Sequence, residues 1–323
     1  FAVAWVFVDF VFSSCWAGCI NAVHHSFPQS EWAQRIAMIA AAARTGNAAA
    51  FALFGHVLQS SNSWRTVFWV SSFLQFIPIS LLTYFGGRTP ALEQTEVEPS
   101  NESKNASPPK KKPSAAISTP LATLGKEAKT IEFWLHLMNR SALMVFGSFL
   151  LFVPTLMSQI YGLSSHRAAQ VGSVFALGCL LSVTGGARPY AKLGKRNKIA
   201  TTIILMGIAT LCSGLQLGHM KGIWSIPASV SAASMFLWGF SFSIPFYIPG
   251  SMYALARGGK ESSATIADVF DFGGFALLAA FNGYVAKIAA YSNLATAWIP
   301  TFQILTGCSL ASMVSLALAI FFE

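Results

Sequence analysis

The sequence predicts an all-α polytopic membrane protein with about nine transmembrane helices, and three observations lead there. Of the 323 residues 54% are hydrophobic and 10% charged, far from the roughly quarter-charged make-up of soluble domains. The mean hydropathy is +0.55. The apolar residues come in blocks of about 20, the length that a helix rising ~1.5 Å per residue needs to cross ~30 Å of hydrocarbon. Inside lipid every backbone N–H and C=O must be paired by a helix or a closed barrel, and continuous apolar runs without alternation argue against the barrel.

In chain order the spans read Phe1–Val23, Ile36–Leu58, Thr66–Phe85, Phe133–Tyr161, Ala168–Thr184, Ile199–Leu217, Ile226–Ala254, Ser263–Val285 and Ala297–Phe322. The first has no initiator Met, no charged n-region and no small-residue cleavage site, so it reads as a span rather than a signal peptide. The chain is therefore expected to begin within a longer protein. Residues 86–130, rich in Pro, Ser, Lys and Glu, read as a disordered linker. The linker separates a partial N-terminal bundle of three spans, residues 1–85, from a bundle of six spans, residues 131–323. Within the seventh span, "SFSIPFYIPGSMY" carries Pro245 and Pro249, each of which removes a backbone donor and bends its helix. In the eighth, the small residues of "GGFALLAAFNG" let helices approach closely.

A net charge of +9 raises the question of nucleic acid, but the placement of the cations answers it. If the first span ends inside, the inner loops hold fifteen lysines and arginines and the outer loops four: Arg65, Arg167, Lys221 and Lys287. The positive-inside rule then sets the orientation, with the linker and the basic loops cytoplasmic. Basicity reports topology, and no nucleic-acid partner is expected. The five cysteines all fall within spans and behave as small apolar residues. Cys15 and Cys19 share a helix face, yet His24 and His25 at the helix end do not complete a zinc set, so no metal or cofactor is expected.

The two parts echo one another. "IAAAARTGNAAAFALFG" in the second span and "IADVFDFGGFALLAAFNG" in the eighth place Gly46 and Gly55 nine residues apart, as are Gly274 and Gly283. Self-similarity of this kind is typical of transporters built from repeated bundles. If the second span corresponds to the eighth, three more spans precede Phe1, and the whole is six plus six. The basic stretch "GGARPYAKLGKRNK" is similar to the G-x-x-x-D-R-x-G-R-R loop of the major facilitator superfamily, with Gly186 as the first glycine and Gly194, Lys195 and Arg196 as the G-R-R end. Tyr190 stands where that motif has Asp, and the spacing is one residue longer. "SWRTVFWVSSF" is similar to the W-R-x-x-F entry of the family's sixth helix, which makes the nine spans its helices four to twelve.

Two further stretches resemble the organophosphate:phosphate antiporters of that superfamily, the carriers of glycerol-3-phosphate and glucose-6-phosphate. "VFSSCWAGCINAVHHSFPQSEW" is similar to the end of their fourth helix, and "GGKESSATIADVFDFGGF" to the entry of their eleventh. The resemblance implies arginines on the first and seventh helices as phosphate ligands. The first helix is not in this sequence, and Arg140 stands about two turns ahead of the middle of the seventh, "VFGSFLLFVP".

An ionised Asp at mid-bilayer costs ~2.5–3.5 kcal/mol on insertion scales, so buried charges mark a bundle interior or a wet cavity. Asp271, eight residues beyond Ser263 and so ~12 Å into its helix, is expected to face a central cavity. Arg44, in the helix that the repeat pairs with that of Asp271, is expected to meet an anionic group of the substrate or to form a gate pair with Asp271. Asp268, one turn shallower, reads either as a second site carboxylate or as a complement to the helix dipole. Asn47, Asp9 and Tyr247 are further candidates for substrate or coupling-ion contact, and Tyr253 for cavity lining. The sequence contains no Walker loop, G-x-S-x-G or H-E-x-x-H, so neither ATP hydrolysis nor another enzymatic activity is expected. The reading is a monomeric secondary transporter that moves a small polar organic solute by alternating access, driven by an ion or counter-substrate gradient. The alternative is a receptor or assembly protein on the same scaffold.

Overall fold

The computed structural model describes residues 15–61, 63–85, 119–291 and 294–323. Every regular element among them is helical. Residues 15–26 form α1, and a 3-10 turn at Gln29–Glu31 leads into α2 (Trp32–Ser61) and then α3 (Trp64–Phe85). The chain continues with α4 (Pro120–Glu127), α5 (Ile131–Ser148), a 3-10 turn at Phe149–Phe152, α6 (Val153–Tyr161), α7 (Ser165–Lys192), α8 (Lys195–Met220), α9 (Ala228–Tyr291) and α10 (Leu294–Phe322). Seven helices are long and apolar enough to cross a membrane among the described residues. The first expected span, Phe1–Val23, lies mostly outside them.

Two of the expected spans form the single element α9, whose 64 residues would reach ~95 Å if straight, three times the hydrocarbon thickness. The chain escapes that length at Gly259, which has φ 60° and ψ −163°, a conformation essentially restricted to glycine. Each arm of α9 is then of spanning length. The fourth span is also discontinuous. It runs from α5 through the Phe149–Phe152 turn, where Pro154 enters the first turn of α6, and stops at Gly162 in the left-handed conformation.

The linker expected over residues 86–130 ends in structure: Thr119 caps α4 by accepting a bond from the Ala122 N–H, and Pro120 sets the first helical φ. Residues 86–118 lie outside the described set. Thr130 caps α5 in the same way, accepting from Phe133 N–H. A short polar stretch therefore still folds where caps and a proline fix its first turn.

The described residues pack into two units, one within Phe1–His56 and Thr119–Glu323, the other within Val57–Ser118. In the larger unit α5, α7, α8, α9 and α10 pack around Trp238, which stacks on Phe146 (4.4 Å between ring centroids) and Phe149 (5.0 Å), with Phe302 and Phe175 closing the cluster. Gly178 on α7 and Gly239 on α9 bring their backbones together, since a Cβ at either would collide with a carbonyl of the other helix, Phe236 and Phe175 respectively. Helix α2 lies along α7: Phe51 fills the space over Gly172, and the Ser173 hydroxyl donates to the Ala48 carbonyl at 3.1 Å. In the smaller unit α3 has no buried residue and exposes Trp69, Phe73, Phe76 and Leu82, as a lipid-facing helix does.

Candidate functional site

Asp271 sits on the second arm of α9, 3% exposed, and its carboxylate is paired with Arg140 of α5 rather than with Arg44. Arg140 Nε and Nη2 lie 2.9 and 2.8 Å from Asp271 Oδ1, and Nη1 donates to the Phe246 carbonyl on the first arm of α9 at 3.0 Å. This corrects the expected Arg44–Asp271 gate pair. The reason is neighbourhood: α5 packs directly against α9, with Leu137 and Ser141 over Gly273 and Met144 over Gly274, which brings the guanidinium to the carboxylate.

Proline chemistry supplies the rest of that junction. Pro249 has no N–H to offer the carbonyl four residues back, and that carbonyl, of Pro245, receives Asn139 Nδ2 at 3.4 Å. Ser312 of α10 in turn donates to Asn139 Oδ1 at 2.6 Å. Three helices meet in this network: α5 gives Asn139 and Arg140, α9 gives the carbonyls of Pro245 and Phe246 and a carboxylate, and α10 gives a hydroxyl. The guanidinium of Arg140 also lies 3.9 Å from the Phe246 ring centroid and 5.7 Å from that of Trp16 on α1. Trp16, Arg140, Gly250, Ser251, Ala267, Phe270 and Asp271 enclose a space of only about 10 Å³, roughly what one water needs. In this conformation the junction is shut to any organic solute.

Arg44 lies twelve residues into α2 and is 8% exposed. Its guanidinium is 5.2 Å from the Tyr247 ring centroid and 5.7 Å from that of Phe242, and Tyr247 and Cys179 are its electrostatic neighbours. Its Nε has no hydrogen-bond partner, and no carboxylate pairs with it among the described residues. Tyr247 connects the two cations: its ring is 5.4 Å from Trp16, which in turn borders Arg140. Sequence reasoning placed Tyr247 with the candidates and missed Trp16, whose aromatic side chain reads as packing in an apolar helix.

The remaining candidates separate. Asp268 is exposed and does not join the junction. Asn47 is half-buried one turn beyond Arg44, and Asp9 lies outside the described residues. Of the basic loop, Gly186 faces Ile244, Gly194 caps α8, Lys195 Nζ lies 5.7 Å from the Phe321 ring and Arg196 is exposed. The loop residue that reaches α2 is Arg188, which donates to Gln34 Oε1. Tyr253, a candidate for cavity lining, borders a cavity with Tyr190, Lys198 and Arg257 and donates to Glu127 Oε2 of α4 at 2.8 Å.

Spanning helices broken at proline and glycine, with a buried cation and a buried ion pair at their crossing, define the helical carriers of membranes. The chain belongs to the Major Facilitator Superfamily, whose family profile matches residues 1–283. It is thereby an integral multi-pass membrane protein of a family of secondary transporters of small molecules. No curated protein matches the chain.

Proposed function

We infer that the protein moves a small organic anion across its membrane by alternating access, with Arg44 as the group that meets the anion. The observation that supports this is the buried guanidinium of Arg44, with an unpartnered Nε and no carboxylate among the described residues to neutralise it. A cation in an apolar bundle needs a counter-charge, and a transient one supplied by the solute explains why no fixed one is present. Tyr247 is placed to share the solute, its ring lying 5.2 Å from the guanidinium. The Arg140–Asp271 pair joins two helices of the same bundle, so its charges satisfy one another and move with that bundle. A coupling ion or counter-substrate would drive the cycle by favouring one of the two facing states. The linker and basic loops face the cytosol in this reading, and an organophosphate is one anion that fits the charge.

The test is flux into proteoliposomes with a panel of small carboxylates and phosphate esters. Arg44→Ala should cut saturable uptake at least about tenfold, the equivalent of one charge-assisted hydrogen bond, and Arg44→Lys should retain part of it. Full uptake by Arg44→Ala at equal reconstitution removes Arg44 from the mechanism. A second reading, a receptor on the same scaffold, draws on Tyr190, a phenol where the family's basic loop has a carboxylate. Under that reading the wild-type chain binds the anion and transfers none.

A further inference from the structure

A second cavity lies at the end of the helices that carries the basic loop. It encloses about 330 Å³, within the range of small-ligand sites. Four helix ends build it: the last turn of α7, the first of α8, the stretch of α9 before Gly259 and the end of α10. Ile248, Pro249, Met252 and Ile320 give it an apolar floor, and Lys198 and Arg257 bring two cations to its wall.

Both cations lack a direct acidic contact, although Glu127 stands behind the wall, accepting from the hydroxyl of the lining Tyr253 at 2.8 Å. Among the described residues the ion pairs are Arg35–Glu31, His136–Glu323 and Arg140–Asp271, so neither Lys198 nor Arg257 has an acidic partner. Glu323 is the lining's one carboxylate, and its Oε1 is engaged by His136 Nε2 at 2.8 Å. Tyr190, also in the wall, offers a phenol whose oxygen lies 3.3 Å from the Thr202 hydroxyl, not a negative charge. Lys192, Lys195 and Arg196 on the same end add to the positive field.

We propose that this cavity binds a phosphate-bearing head group, held by Lys198 and Arg257 with its carbon portion on the apolar floor. The shape asks for both features at once: a free inorganic anion would leave Ile248, Met252 and Ile320 facing water, and an apolar ligand would leave two cations unpaired. Two sources carry that chemistry, an anionic phospholipid of the surrounding leaflet and a soluble phosphate ester. The lining contains neither Arg44 nor Asp271 and its occupancy can be read without flux, so its test stands or falls apart from that of Arg44.

The experiment is the thermal stability of the full chain in nanodiscs. Phosphatidylglycerol, compared with phosphatidylcholine, should raise the midpoint if the ligand is lipid; glycerol phosphate added to phosphatidylcholine discs should raise it saturably if the ligand is soluble. The Lys198→Ala/Arg257→Ala pair should weaken the response at least about tenfold, since two charge-assisted bonds are lost, while Lys198→Arg/Arg257→Lys keeps it. Arg167→Ala/Lys221→Ala, at the other end of the helices, should leave it unchanged. A wild-type midpoint indifferent to both additions overturns the proposal, and so does an unaltered response in the alanine pair.

Discussion

At the scale of single residues, the Arg140–Asp271 pair is the tightest constraint. Both side chains are buried, so removing one partner strands a charge in the bundle at a cost of about 3–5 kcal/mol, whereas replacing both with apolar groups of similar size costs far less. Arg140→Leu or Asp271→Leu alone should therefore lower the unfolding midpoint sharply in detergent, and the double variant should recover most of it. Equal midpoints for the singles and the double would show that the pair is not a unit. The pair was half legible in the sequence. Buried charges announce themselves by their cost in lipid, and Arg44 and Asp271 were found that way. Their partners were not, because pairing depends on which helix faces meet, and a span's hydropathy does not record its rotation. Arg140 was visible as a charge inside a predicted span, but nothing in the sequence tied it to Asp271.

At the scale of elements, the spans were readable because lipid leaves the backbone few options, and the fourth, predicted as Phe133–Tyr161, is observed as Ile131–Tyr161. Their internal breaks were less so. Pro245 and Pro249 marked one bend, and the loop read between Ala254 and Ser263 holds the reversal at Gly259, but the 3-10 turn at Phe149–Phe152 follows from packing among helices. Gly259→Ala forces a Cβ into a conformation only glycine adopts easily and should cost about 1–3 kcal/mol, read as a lowered midpoint. Pro249→Ala restores an N–H for the Pro245 carbonyl and takes that acceptor from Asn139. Its expected effect is slower transport at unchanged or higher stability, because the bend straightens while the helix gains a bond. Unchanged transport in Pro249→Ala would show that the bend is not a hinge. Thr130→Ala, which removes the α5 cap, should cost about 1 kcal/mol and leave transport alone.

At the scale of the whole molecule, membership of the Major Facilitator Superfamily and the geometry of the larger unit point the same way. Helices α2 and α7, one before and one after the linker, lie against one another through Phe51 over Gly172, Ser173 on Ala48 and Arg188 on Gln34. Small residues and single hydrogen bonds hold that contact, and these separate at low cost compared with the aromatic cluster around Trp238. In the alternating access proposed above, the contact opens at the Arg188–Gln34 end. The most direct measurement is uptake by a variant carrying Gln34→Cys and Arg188→Cys, with the native cysteines replaced, after joining the two thiols by a short reducible cross-linker. The account predicts that uptake stops on cross-linking and returns when the linker is reduced. Uptake that continues at the unlinked rate in fully cross-linked protein would contradict it.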